Sequence, residues 1–132
     1  MSKDTTPRTM HIGEVAERTE LSLRSLRHWD EVGLLRPSAR TEGGFRLYTE
    51  QDVEKILLIR RMKPLGFTLE EMARAIRDIE TVLDDGPDTG PARERLAEVL
   101  ADAATRREKL ERQLAMADEF LEVLGERLAR RG

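Results

Sequence analysis

Followed by its apolar positions alone, the chain changes rhythm several times. Ile12, Val15, Ala16 and Thr19 recur at i, i+3, i+4 and i+7, which predicts one short amphipathic helix. Met10-His11-Ile12 ahead of it reads as a short strand or a lead-in. A second helix is expected from Leu21. Ser22 is a good N-cap, and Leu21 can pack against Leu26 as a hydrophobic staple. Wound at about 3.6 residues per turn, Leu23 and Leu26 share an inward face. Arg24, Ser25 and His28 fall opposite, with Arg27 and Trp29 on the flanks. Gly33 can end the helix in a left-handed cap. Arg36, Pro37, Arg40, a Gly43-Gly44 turn, Arg46 and Tyr48 then suit a short two-stranded ribbon with a basic edge.

Thr49 caps a third helix, with Asp52 three residues on and a Tyr48–Val53 staple available. Val53, Ile56, Leu57 and Arg60 make its stripe, and Lys63-Pro64-Leu65-Gly66 stops it. Thr68-Leu69-Glu70-Glu71 is a capping box, and Phe67 can staple onto Met72. The fourth helix runs on through Ala73, Ile76, Ile79 and Leu83. Asp84-Asp85-Gly86-Pro87-Asp88-Thr89-Gly90-Pro91 is a breaker cluster.

Beyond Pro91 the period shortens to that of a coiled coil. Leu96, Leu100, Ala103, Arg107, Leu110, Leu114, Ala117, Leu121, Leu124 and Leu128 are spaced alternately four and three residues apart. The helix would be about 55–60 Å long. A buried leucine is worth about 1.5–3 kcal/mol, so a seam of this kind is not left wet and the helix must pair with another. The seam alone leaves parallel and antiparallel pairing open. Arg107 within it is a snorkelling side chain or a register pin. Met116, Phe120 and Val123 join Leu121 and Leu124 near the end and widen the stripe. In an antiparallel coil this surplus predicts a cross-subunit contact centred on Phe120, near Ile76, Ile79 and Leu83 of the other subunit. The expected division is a disordered polar tail over 1–9, a head over 10–84, a linker over 85–91 and a dimerisation helix over 92–132.

Composition refines this picture. Of 132 residues, 37% are charged and only 4% aromatic, which suits long solvated helices better than one large core. The net charge of −3 argues against nucleic acid until its distribution is considered. Met1–Phe67 holds 12 Lys/Arg against 10 Asp/Glu, whereas Thr68–Gly132 holds 11 against 16. The acids of the first half cluster in Glu14–Glu20 and Glu50–Glu54, away from the basic helix face and ribbon. There is no cysteine, which excludes thiolate metal sites and disulfides. No apolar run approaches a membrane span, and Met1–Thr9 does not resemble a signal peptide. With only His11 and His28 available, no metal site and no cofactor are expected. No nucleophile–base pair, carboxylate dyad or phosphate-binding glycine loop is present, so an enzyme is not expected.

An Arg/Ser/His helix face alone is usually a solvated surface. Followed by a basic ribbon, it fits a winged helix-turn-helix for DNA. Four motifs carry a resemblance to the MerR family of bacterial transcription regulators. They are Ile12–Ala16, Leu26–Pro37 (LRHWDEVGLLRP), Gly44–Tyr48 (GFRLY) and Leu65–Glu71 (LGFTLEE), and they cover about half the chain. One departure is visible: His28 and Trp29 stand where the family usually has two aromatics. The resemblance implies a mainly α fold, with a winged helix-turn-helix DNA-binding domain, a β-hairpin wing and a long antiparallel coiled-coil helix. It implies a cytoplasmic homodimer that distorts a pseudo-palindromic promoter so that RNA polymerase can use it. Arg24 and His28 would read base edges, while Ser22, Ser25, Arg27, Arg36, Arg40 and Arg46 would set register on phosphates. Trp29 packs at the helix edge or touches a sugar-phosphate, and Tyr48 is a core aromatic or, as the family implies, a backbone contact. Arg60, Arg61 and Lys63 suit the helix dipole without any ligand, or form a second phosphate-touching wing as in the family. A small-molecule effector, unidentified, would have to sit in the coil, the linker or the seam between coil and head. A reading from another class is an architectural or coiled-coil interaction protein that switches no promoter.

Overall fold

A computed structural model describes residues 8–84 and 86–130. The expected tail up to Pro7, Asp85 of the expected linker and the last two residues of the expected coil lie outside them. The chain runs β1 (Thr9–His11), α1 (Ile12–Thr19), α2 (Leu23–Glu31), β2 (Ala39–Arg40), β3 (Arg46–Thr49), α3 (Glu50–Met62), a 3-10 turn (Lys63–Leu65), α4 (Leu69–Leu83) and α5 (Gly90–Ala129). Thr9, expected in the polar tail, is the first residue of a strand. β1 pairs with β3 through Thr9–Thr49, Met10–Tyr48 and His11–Leu47. β2 pairs with the same strand through Ala39–Leu47 and Arg40–Arg46. The expected two-stranded ribbon is therefore a three-stranded antiparallel sheet, ordered β1-β3-β2.

Local chemistry sets the element ends. Ser22 caps α2 by accepting from the Ser25 amide at 3.0 Å. Thr49 and Asp52 close a reciprocal capping box on α3, and Thr68 and Glu71 do the same for α4. The α1–α2 turn passes through Glu20 at φ 58°, a left-handed conformation that costs a non-glycine residue about 1–2 kcal/mol. Gly33 ends α2 at φ 77°, and the Arg36 guanidinium lies 3.4 Å from where a side chain at Gly33 would begin.

The head closes on one core. Val15 of α1, Leu26 and Trp29 of α2, Leu34 and Leu35 after it, and Val53, Ile56 and Ile59 of α3 are all buried. Phe67, Met72 and Ile76 extend that core under α4. Two details differ from the sequence reading. Leu23 is exposed, because α2 buries the Leu26–Trp29 edge instead. On α3 Ile59, outside the expected stripe, fills the core beside Ile56, while Leu57 packs half-buried against it and Arg60 is not part of it. Asp52 is buried as a connector: its carboxylate accepts from the amides of Thr49 and Ser38 and from the Ser38 hydroxyl at 2.6 Å.

The long helix starts at Gly90, inside the expected linker, and its first turns lie on the head. Ala92 is buried, and Val99 and Ala103 pack against the head core. Ala103, read as a dimer seam position, therefore packs within its own chain, and Leu96 lies half-buried beside it. Arg95 grips Asp78 of α4 with two bonds of 2.8 and 3.0 Å. Arg106 stacks on the Phe67 ring at 4.0 Å and reaches Glu71 at 3.3 Å. Beyond Arg106 every described residue of α5 is exposed. No helix among the described residues is long and apolar enough to cross a membrane.

Candidate nucleic-acid interface

The outer face of α2 is set by what its inner face buries. Leu26 and Trp29 are sealed into the core, so Arg24, Arg27 and His28 are held on the outside. Ser25 is half-buried and bonded to the Ser22 hydroxyl at 3.0 Å. Arg24, Ser25, Arg27, His28 and Trp29 share one shallow hollow with Glu31 and Lys63. The 3-10 turn thus brings Lys63 to α2, with its ammonium 5.8 Å from the centre of the Trp29 ring. Trp29 itself is 4% exposed. Its bulk belongs to the core, in line with the packing expected for it, and leaves little surface for a sugar-phosphate contact.

The wing is built differently from expectation. Both of its arginines turn inward to a single acid on α2. Arg40 and Arg46 each donate to Asp30 at 2.6 Å. Burial pushes the Asp30 carboxyl up, but the hydrogen bonds and charges of Arg46 and Arg40 outweigh it and hold the group below the ordinary carboxylate range. Arg46 is mostly covered and Arg40 about half exposed, so Arg46 is an internal strut and only Arg40 keeps a substantial open surface. Sequence reading assigned both to phosphates. It missed Asp30, whose partners lie 10 and 16 residues away and meet it only once the sheet register is set.

Tyr48 is also internal. It is 1% exposed, and its hydroxyl has no partner among the described residues, so the phosphate contact implied for it does not fit this structure. Opposite it on the sheet, Met10 fills the same core. Arg60 donates to the Thr19 carbonyl at 2.6 Å and lies 3.6 Å from Glu20. The carbonyl end of α1 attracts it there, so it ties α3 to α1 instead of standing free for a phosphate. Arg36 is exposed. At the wing tip the Thr41 carbonyl accepts from Gly44 at 2.9 Å, and Gly44 adopts φ 85°. That turn leaves Phe45, given no role on sequence grounds, 69% exposed.

In the single chain the widened stripe of α5 is uncovered: Met116, Phe120 and Val123 are exposed, with Leu100, Leu110, Leu114, Leu121, Leu124 and Leu128. Ala117 lies in the same exposed run. Arg107 is exposed and paired with Glu111 one turn on, at 3.0 Å.

A helix-turn-helix with a basic outer face, a β-wing locked to it and a long apolar-striped helix behind defines a winged helix-turn-helix regulator. Residues 10–79 match the model of the MerR HTH family regulatory proteins, and the chain belongs to that family. It is 40% identical over 85 residues to nodulation protein NolA of Bradyrhizobium elkanii, across 64% of this chain and 39% of that protein. It is 36% identical over 96 residues to the HTH-type transcriptional regulator ZntR of Escherichia coli K12, across 68% of this chain and 65% of that protein. The chain thus spans well under half the length of the NolA relatives. The structure of HiNmlR, a MerR family regulator lacking the sensor domain and bound to promoter DNA, is similar with a TM-score of 0.62 at 28% identity. That likeness covers 92% of this chain and 89% of HiNmlR.

Proposed function

We propose that two copies of this chain bind a pseudo-palindromic promoter and distort it to control initiation by RNA polymerase. The observation that carries this is the outer face of α2. Arg24 and His28 stand exposed on a helix whose other side is sealed, the arrangement needed to enter a major groove. Arg24 and His28 read base edges. Ser22, Ser25, Arg27, Arg36, Arg40 and Lys63 fix register on the phosphates, with Arg46 acting indirectly by holding the wing. HiNmlR, similar over most of its length, was found on promoter DNA. The bending and untwisting place part of the specificity in base pairs that no side chain touches. The protein acts by binding and not by catalysis, in the cytoplasm at the nucleoid where promoters are.

Genome-wide mapping of binding sites supplies the operator and the spacing of the promoter elements beneath it. On that operator Arg24→Ala is expected to cost about 1–3 kcal/mol, with little change on random DNA. An unaltered preference for operator over random DNA would show that α2 is not the reading helix.

A further inference from the structure

The joint between α4 and the start of α5 is closed at both ends and open in the middle. On α4, Glu71, Arg74, Ala75 and Asp78 share one face at i, i+3, i+4 and i+7. Arg95, Glu98, Val99 and Asp102 of α5 repeat that spacing and face them. The two helices run in opposite directions here, as their ion pairs show. Asp78 is held by Arg95, and Glu71 shares Arg106 with Asp102. An arginine therefore ties each end. Between the ties, Ala75 is too short to reach across. A cavity of about 340 Å³ remains, with Phe67, Ala75 and Val99 as its apolar surface.

The charges around this cavity are not all spent. Asp78 and Arg95 satisfy each other, and Glu71 and Asp102 both accept from Arg106. Arg74 and Glu98 line the cavity from opposite helices, yet neither is bonded to any described residue. Opposite charges on packed helices pair when they can reach each other. Here the open space holds them apart, one cation and one anion across an apolar floor.

We propose that this cavity binds a small zwitterion, an α-amino acid with an apolar side chain. Arg74 takes the carboxylate, which its planar guanidinium fork suits. Glu98 takes the ammonium, and the side chain lies on Ala75, Val99 and Phe67. A plain hydrocarbon would desolvate both charges and pair neither. A phosphate or other simple anion is repelled by Glu98 and the acids beside it. A simple cation meets Glu98 but stands against Arg74. Occupied, the site adds a third tie between α4 and α5 and fixes the angle at which the long helix leaves the head. In the proposed dimer that angle sets the spacing of the two reading heads, and only this last step rests on the function proposed above.

Calorimetric titration of the full chain with L-leucine and L-phenylalanine is expected to show saturable binding. Amide NMR shifts should centre on Ala75 and Val99. Phenethylamine lacks the carboxylate and phenylpropionate lacks the ammonium, so each should bind about tenfold more weakly than L-phenylalanine, or worse. Arg74 and Glu98 are exposed and bonded to nothing described, so Arg74→Gln and Glu98→Gln leave the fold intact. Each substitution should weaken L-phenylalanine by a similar factor. Absence of saturable binding by either amino acid would overturn the proposal. So would binding that neither substitution weakens, or phenethylamine binding as tightly as L-phenylalanine, which would make this a site for amines. None of these titrations contains DNA, so their failure leaves the proposed function standing.

Discussion

In the head, Val15, Leu26, Ile56 and Ile59 are at or within 1% of complete burial, whereas on α5 beyond Arg106 Leu114, Phe120, Leu121 and Leu128 are each more than 60% exposed. The residue types are the same, and both segments are helical. What differs is how many surfaces the chain itself can bring to them. Around Ile56 it brings the other buried residues of the head core, so burial is intramolecular and independent of concentration. Around Leu121 the described residues bring nothing further, so in the proposed dimer the free energy of that surface is released on association and follows mass action. On that reading one molecule carries a unimolecular stability and a bimolecular one, joined where α5 packs on α4.

The comparison breaks most sharply at the seam. Leu110→Asp with Leu114→Asp places charges where four leucines per dimer would be buried, each worth about 1.5–3 kcal/mol. Sedimentation is expected to show monomer, and operator binding to collapse, while the head still unfolds at its usual temperature in dilute solution. Loss of head stability in the same variant would mean that the two regions are not separable. A smaller effect of the opposite kind is expected at the core. Ile56→Ala should destabilise the head by about 2–5 kcal/mol in denaturant titration, because the closed packing around it leaves a cavity. Cross-linking of the surviving coil should persist after the head has lost cooperativity.

The smallest effect concerns the wing. Asp30→Asn is expected to cost about 1.5–3 kcal/mol near neutral pH, toward the lower figure because Arg40 is half exposed. The sign with pH follows from the depressed Asp30 carboxyl. Its contribution is complete above the ordinary carboxylate range and is lost as pH falls through the lower folded value. The stability difference between the parent protein and the Asp30→Asn variant should therefore shrink on acidification. A difference that is constant with pH would show that the charge of Asp30 is not what holds the wing.

Legibility in the sequence followed the range of the interaction. The Ser22 cap, both capping boxes and the Gly33 terminus depend on residues within one turn, and each stands where the spacing put it. The four motifs between Ile12 and Glu71 likewise fall inside residues 10–79, which the family model matches. The seam of α5 was visible because a heptad repeat is periodic, but a period marks a stripe without naming what covers it. A second stripe through Ala92, Val99 and Arg106 lies beside the first and belongs to the chain's own α4 and core. Trp29 and Tyr48 were ambiguous for another reason. Each joins a large apolar body to a polar tip, and only the closure of the core decides which end governs. Asp30 was out of reach because its two partners are brought to it by strand register.

The sharing of Asp30 between Arg40 and Arg46 has a consequence for electrolyte. Each DNA phosphate neutralised by a protein cation releases counterions, contributing about 0.9 to the slope of log affinity against log salt. Two guanidinium groups that share one buried anion displace the ions of about one phosphate, not two. The salt sensitivity of the wing is then lower than its arginine content implies. In the proposed complex the larger share of the salt slope is expected from Arg24, Arg27, Arg36 and Lys63, the cations around α2, so the wing is expected to bring shape more than charge to a duplex.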